Sequence, residues 1–514
     1  MAILQTTPAE SALSSDSHSN QVHDLEAFFK PFRENIIGTD AVLTSQYHIG
    51  IKMLYADWTA SGRAYRPIEE KFINEILPLV ANTHTETNHS GMAMTNLYHK
   101  AQAIIKAHVK ANVNDVLILD GSGMTGAVNK FQRILGLKLN EDFSKRIKLE
   151  DSERPVVFIT HMEHHSNQTS WLETIADVVI VPPTKNGLVS VAHFKNAFAE
   201  YPNRPRIASV TACSNVTGIE TPFMEIAKAA HANDALCFVD FACSGPYVEI
   251  NMHEDDGSGQ YLDAIFLSPH KFLGGPGTSG VLVFNKKLYH NSIPDAPGGG
   301  TVAWTNPWGE RAYLDDIEAR EDGGTPPFLQ TIKIALAIKL KEQMGTANIR
   351  QREEELLAIL WNKLDGIKGL TILAAQHKQR LGVVSFYIDG LHYNLAVKLL
   401  NDKFGIQTRG GCSCAGTYGH YLLEVDETYS HQITDEVDTG DFSHKPGWVR
   451  MSIHPTMSNT EVEFIADALL ELVEKKEKFA ADYTFNSKRA VAEPKNASAD
   501  LALNAWVDEN AFEL

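Results

Sequence analysis

No lysine or arginine occurs in the first 29 residues of this 514-residue chain, so neither a secretory n-region nor an arginine-rich transit peptide is expected there. No apolar run approaches the length of a membrane span. Cysteine is scarce: five residues, 213, 237, 243, 412 and 414, are too few and odd in number for a disulfide framework. Reduced thiols in a cytoplasmic protein are the expectation. Positive charge is in deficit, with 46 Lys and Arg against 64 Asp and Glu leaving −18. That balance repels phosphate backbones and anionic lipid, which excludes nucleic acid and membrane as partners. Repeats and low-complexity segments are absent as well. What remains is an ordinary apolar fraction, 43%, with 35 glycines, enough for two or three domains with buried cores.

Residues 1–22 are small and polar with no period and read as a flexible N-terminal tail. From there to about residue 330, short β-rich apolar runs alternate with helical patterns: DVLILD, PVVFIT, IASVTA, ALCFVD and DAIFLS, separated by segments such as TGAVNKFQRILGL and FMEIAKAAHAN. Such alternation predicts βαβ units and a mostly parallel, buried sheet, a large α/β domain over 23–330 whose N-terminal segment is free to join a second domain. The texture changes near Thr331, and 331–479 reads as a smaller α+β domain ending in the helix EVEFIADALLELVEKKEKF. Residues 480–514 read as a C-terminal tail, ambiguous because its LALNAWVDENAFEL end could dock on the body. The acidic stretch 425–447 reads as a solvated surface loop.

In an open α/β sheet, ligands gather at the carboxyl ends of the strands. After DVLILD come Gly121, Ser122, Gly123, Met124 and Thr125, whose free N–H groups and helix start suit a phosphate. The motif lacks a P-loop lysine, so nucleotide hydrolysis is a poor reading, and a ligand-free turn is its plain alternative. After PVVFIT come Glu163, His164 and His165, either structural or offering an imidazole to a flat ring. Asn215 follows IASVTA, Asp240 closes ALCFVD, and Ser268, His270 and Lys271 follow DAIFLS. Asp240 and Lys271 form the decisive pair. A carboxylate at a ring nitrogen and a lysine able to form a Schiff base are what pyridoxal phosphate chemistry requires.

Taken in order, the blocks YADWTASG, NTHTETNHSG, GSGMTGAVN, EHHSNQTSW, ACSNVTGIETP, FVDFA, SPHKFLGGPGTSG, EDGGTPPF, TRGGCSCAG and VRMSI resemble those of fold-type I pyridoxal phosphate enzymes of aminotransferase class V. The likeness is greatest to cysteine desulfurases and selenocysteine lyases, over about residues 54 to 475. The PGGGTV and EDGGTP segments also look like the sulfurase domain of molybdenum-cofactor sulfurases. The resemblance implies that Lys271 carries the cofactor, Asp240 holds the pyridinium and His164 stacks on the ring. Gly123, Thr125, Ser268 and His270 would cradle the phosphate, and Ala242 and Cys243 would adjoin the ring. Thr325 would reach the phosphate of a neighbouring protomer, which implies a homodimer. Asn215, Arg450, Ala60 and His89 would face the amino-acid substrate, with Asn88 as the alternative to His89. Arg450 would supply a guanidinium fork for a carboxylate, or else a surface ion pair.

Cys414 falls at the position of the nucleophile that takes sulfur as a persulfide. Gly410, Gly411 and Gly416 would let its loop swing, and Arg409 is near enough to hold a sulfur anion. Cys412 raises a redox pair or a metal site as alternatives. Two cysteines one residue apart make a strained disulfide, and no second pair has zinc-like spacing, so no metal is expected. Departures from the pattern are Cys243 where a glutamine is usual, Met124 where threonine is common, the acidic loop, and His454 and Pro455 after VRMSI. The reading is thus a cysteine desulfurase or selenocysteine lyase giving alanine and a persulfide on Cys414, with a sulfur-acceptor protein as possible partner. Its alternatives are a class V aminotransferase, epimerase or other lyase without sulfur transfer, and a non-catalytic cofactor-binding protein.

Overall fold

The inner apolar runs after residue 114 are buried along most of their length because they lie side by side in one sheet covered on both faces, while the edge run Asp177–Val181 is only partly covered. The computed structural model describes residues 24–83, 87–254, 257–496 and four positions near the C-terminus, 507, 508, 511 and 513. The expected N-terminal tail and most of the LALNAWVDENAFEL end lie outside the described residues. Seven strands form the large sheet: β1 Asp115–Asp120, β2 Val156–Thr160, β3 Asp177–Val181, β4 Arg206–Thr211, β5 Leu236–Asp240, β6 Ala264–Leu267 and β7 Gly280–Asn285. Their spatial order is β1-β7-β6-β5-β4-β2-β3. Only β7 runs antiparallel to its neighbours, pairing Gly280 with Asp120 and Val281 with Leu267. β2, with Val156, Val157, Phe158 and Ile159 wholly buried, has no polar face because each side meets a separate apolar layer. The expectation of an α/β protein with a mostly parallel sheet holds.

A second sheet, all antiparallel, is built from β8 Leu370–Ile372, β9 Val383–Ile388, β10 Arg409–Gly411 and β11 Trp448–Ser452 in the order β8-β9-β11-β10. Helix α1 Leu25–Glu34 packs on this second unit, with Leu25 and Phe29 in the same apolar cluster as Leu469 and Leu472. Leu54–Tyr55 pairs in parallel with Ile406–Gln407. The start of the chain therefore belongs spatially with its end. The helix Phe328–Met344, α5 after α2 His89–His108, α3 Met124–Ile134 and α4 His165–Leu172, joins the units: Ile334 and Ile338 face the large-sheet core, Leu340 and Met344 the other. It is followed by α6 Thr346–Leu364, α7 Tyr393–Phe404, α8 Glu427–Asp438 and α9 Asn459–Ala480.

Two regions differ from the sequence reading. The acidic stretch is not a loop: α8 occupies its centre, started by Asp426, whose carboxylate accepts from Tyr429 N at 2.8 Å. None of its residues is buried, so the apolar periodicity that betrays most helices is missing and only the cap supplies the signal. Past residue 480 the chain forms a hairpin, Tyr483–Asn486 with Val491–Pro494. Tyr483 is buried and its hydroxyl donates to Asp402 of α7 at 2.7 Å, which fastens the hairpin to the second unit.

Candidate active site

The carboxyl ends of β1, β2, β4, β5 and β6 border one cavity of about 200 Å³, closed from the opposite side by residues of the second unit. Lys271 follows β6 on a single 3₁₀ turn, Pro269–Lys271. Burial pushes its amine below the ordinary lysine range, which favours the uncharged form that adds to an aldehyde. Asp240 ends β5 and is 4% exposed. Ala242 N donates to it at 2.8 Å, yet burial outweighs that bond and lifts its carboxyl to about 6. A carboxyl raised this way becomes a firm anion once a cation faces it.

His164 caps α4, its Nδ1 accepting from Ser166 N at 3.1 Å. Burial, then the charge of Lys271, lowers its imidazole to about 3, so it presents an uncharged ring to the cavity. The turn that carries it is held by Glu163, which accepts from Thr160 Oγ1 at 2.7 Å, Thr211 N at 3.0 Å and Asn167 Nδ2 at 2.8 Å. Glu163 thereby ties the ends of β2 and β4 together. At the other end of the cavity, Gly123 has φ +78°, and a Cβ there would lie 2.7 Å from His270 Cε1 and 2.9 Å from Ser268 Oγ. Met124 N donates to Ser268 Oγ at 2.9 Å, and Thr125 Oγ1 lies 2.6 Å from Ser166 Oγ. This is a small polar cradle at a helix start, the shape a phosphate needs.

The second unit supplies Arg450 from the middle of β11. It is 3% exposed, so the surface-pair alternative falls. Its Nη2 meets Asp57 Oδ1 at 2.8 Å and its Nη1 donates to Asn215 O at 3.4 Å, while its Nε has no partner. Asn215 donates to Ser413 O at 2.7 Å and keeps a buried Oδ1 without a donor. Both residues border the cavity, and each keeps one buried polar atom, a donor on Arg450 and an acceptor on Asn215, without a protein partner. Asp57 is a residue the sequence reading missed, although it stands in the YADWTASG block.

Cys414 lines the same cavity, with Arg409 Nη2 at 4.0 Å from its sulfur. The expectation is of glycines that free the loop, and in the structure the loop is hydrogen-bonded in place. Cys414 O accepts from His165 N at 2.7 Å, Gly416 N donates to His165 Nε2 at 3.0 Å, and Trp448 Nε1 donates to Ser413 Oγ at 3.2 Å. Two of the glycines serve close approach, since a Cβ on Gly410 would sit 2.6 Å from Asn394 Oδ1 and one on Gly416 3.1 Å from His165 Nε2, while Gly411 supplies a φ of 112°. Ser413 and Cys414 hold φ of 52° and 57°, a left-handed turn that aims the thiol inward.

Ala60, Ala242 and Cys243 also line the cavity. His89 does not. It is exposed at the first turn of α2, capped by Asn88, and the neighbouring residues 84–86 lie outside the described set. Thr325 is likewise exposed and borders a separate depression that shares Ser122 with the main cavity. Neither reaches the cluster within one chain. His454, expected in an extra segment, is buried and stacks on Trp58 at 4.0 Å. No group of three or more His, Cys, Asp or Glu suited to a metal occurs among the described residues.

The sequence profile of the family Aminotransferase class-V matches residues 54–465, most of the chain and every strand of both sheets. The protein belongs to the class-V aminotransferases. That family consists of enzymes that use pyridoxal phosphate, and the cradle, the buried Asp240 and Lys271 fit that group. A probable cysteine desulfurase of Halalkalibacterium halodurans is 27% identical over 375 residues, 71% of this chain and 85% of that protein. A probable cysteine desulfurase of Staphylococcus aureus is 25% identical over 389 residues, 75% of this chain and 88% of that one. Among solved structures, a cysteine desulfurase from Thermococcus onnurineus superposes with a TM-score of 0.68 at 22% identity, covering 86% of this chain and 98% of its own. One from Escherichia coli gives 0.66 at 20%, covering 88% and 99%. The class-V aminotransferase described here therefore has the fold-type I architecture, with its two units meeting over the cavity.

Proposed function

We propose that the protein is a pyridoxal-phosphate-dependent cysteine desulfurase, and that Cys414 receives the sulfur. The observation that carries this reading is that Lys271 and Asp240 of the large unit share one 200 Å³ cavity with Arg450 and Cys414 of the other. The desulfurase names of the relatives support it.

Pyridoxal phosphate, when bound, supplies an electron sink for the carbanion formed at the substrate Cα. Gly123, Thr125, Ser268 and His270 would hold its phosphate, Asp240 its ring nitrogen and His164 its ring face. Arg450 would bind the substrate carboxylate through its guanidinium, and Asn215 Oδ1, an acceptor, would take a hydrogen bond from a donor on the ligand rather than from that carboxylate. Lys271 takes the proton from Cα and later returns one. Cys414 Sγ attacks the substrate sulfur: an S–S bond forms, the C–S bond breaks, and the three-carbon fragment leaves as alanine after protonation. Cysteine is favoured here because a pinned thiol is supplied for the sulfur. Selenocysteine remains a substrate to assay beside it.

Thr325 is exposed, which suits its reaching the cofactor phosphate of a second protomer, and the working form is then a homodimer. A cytoplasmic enzyme handing sulfur to an acceptor protein completes the reading. The test is to incubate cofactor-loaded protein with L-cysteine, quantify alanine, and map persulfide by mass spectrometry. Stoichiometric alanine with persulfide on Cys414 is the expected result. Cys414→Ser should bind the cofactor and stop sulfur transfer, lowering turnover by a factor of about 10³ or more, since a hydroxyl with no adjacent base is a poor nucleophile. Wild-type desulfuration by that variant, or transamination of a keto acid without persulfide, would replace this reading with that of a class V aminotransferase or lyase.

A further inference from the structure

The desulfurase reading uses Cys414 and leaves two other cavity-lining thiols without chemistry. Cys213 follows β4 by two residues and Cys243 follows β5 by three. β4 and β5 are paired in parallel with Thr211 opposite Asp240, and Ala212 N donates to Asp240 O at 2.9 Å, which carries the pairing one residue further. Paired strands lie about 4.8 Å apart, so the two cysteines leave the sheet from adjacent strand ends.

The side chains converge. Cys213 Sγ lies 3.6 Å and Cys243 Sγ 3.8 Å from the same acceptor, Ser214 O, so both thiols donate to one carbonyl. Cys213 is fully buried and Cys243 5% exposed, and both border the cavity beside Lys271. Cys237, the other deeply buried cysteine, does not border it. The two thiols are electrostatically unequal. The neighbouring Cys213 thiol lowers the pKa of Cys243 from its ordinary value, while burial raises that of Cys213.

We propose that Cys213 and Cys243 form a reversible oxidation site on the cavity wall, a dithiol that hydroperoxides convert to a disulfide. Cys243 sulfur attacks the terminal peroxide oxygen: an S–O bond forms, the O–O bond breaks and the alcohol or water leaves. Cys213 sulfur then attacks Cys243 sulfur, the S–S bond forms, the S–O bond breaks, and hydroxide departs as water with the Cys213 proton. Two thiols lose two electrons and the peroxide gains them. The disulfide also removes the S–H that Cys243 would turn toward the ring; this consequence, unlike the disulfide itself, rests on the desulfurase reading.

The experiment uses cofactor-loaded Cys412→Ser/Cys414→Ser protein, in which Cys213, Cys237 and Cys243 are the remaining thiols, exposed to hydrogen peroxide. The expected result is loss of two of the three thiols, one peptide pair linked through Cys213 and Cys243, and full recovery with dithiothreitol. Adding Cys213→Ser should leave a sulfenic acid on Cys243 that dimedone traps. Sulfinic or sulfonic acid on either cysteine with no link, or survival of all three thiols at doses that oxidise Cys414 in the unaltered chain, would overturn the proposal. If the link forms and the absorbance of the bound cofactor does not shift, the oxidation site stands and the placement of Cys243 against the ring falls. If no link forms while the unaltered enzyme still makes persulfide, the site falls and the desulfurase reading stands.

Discussion

A single carboxylate, Asp57, governs how the cavity can hold an acid. Its 2.8 Å contact with Arg450 Nη2 holds the guanidinium at the cavity wall. A charge-assisted hydrogen bond of this kind is worth about 1.5–3 kcal/mol. Asp57→Asn should therefore raise the KM for the amino acid by about ten- to a hundred-fold with a much smaller change in kcat, measured by steady-state kinetics. Equal losses in both parameters would show that Asp57 acts in the chemical step instead. Lys271 and Asp240 were legible in the sequence because Asp240 ends an apolar strand and Lys271 lies in the short turn after one. Asp57 was not, because it follows a two-residue strand and its partner is 393 positions away.

At the scale of elements, the loop between β10 and the helix that begins at Gly416 is kept in place by α4. His165→Ala removes the acceptor of Gly416 N, leaving a part-buried donor unsatisfied at a cost of about 1–3 kcal/mol. Amide exchange over residues 413–417 should accelerate and sulfur transfer should slow by about tenfold, with cofactor content unchanged. Helix α6 carries a second sensitive group. Glu353 is buried, accepts from Gly382 N at 3.1 Å, and has one oxygen without a partner. Burial raises its carboxyl to about 8, against 4.5 unperturbed. The folded state thus keeps a proton that the unfolded state releases, so this group lowers stability as pH rises from about 4.5 to 8 and contributes no further slope above that. Glu353→Gln should flatten that part of the stability profile in urea melts across this window. An unchanged slope would mean that Glu353 ionises in the folded protein without cost.

At the scale of the whole molecule, the cavity is a joint between two units, and the desulfurase reading adds a second copy. Thr325 borders a depression next to the cavity, with Ser122 on the rim of both. A Thr325→Ala protein mixed with a Lys271→Ala protein distinguishes the cases. Subunit exchange in a shared-site dimer should give one site with both defects and one with neither, restoring part of the activity, whereas strictly separate sites give no recovery. A fully active monomer by light scattering at assay concentration would also contradict the dimer.

The sequence by itself determined the α/β class, the mostly parallel sheet and the strand-end residues Lys271, Asp240, His164, Ser268 and His270. The reason is local: in successive βα units, whatever follows each strand is delivered to the same edge of the sheet. Tertiary structure alone decided the rest. The helix in the acidic stretch buries nothing, so no periodicity announced it. The Cys414 loop reads as free from its glycines and is pinned because His165, Asn215 and Trp448 come to it from other elements. Arg450 reads as a possible surface charge and is buried against Asp57. Cys213 and Cys243, 30 positions apart in the chain, come together because they follow the paired strands β4 and β5. Each of these depends on contacts between residues far apart along the chain, and such contacts leave no mark in any short window of sequence.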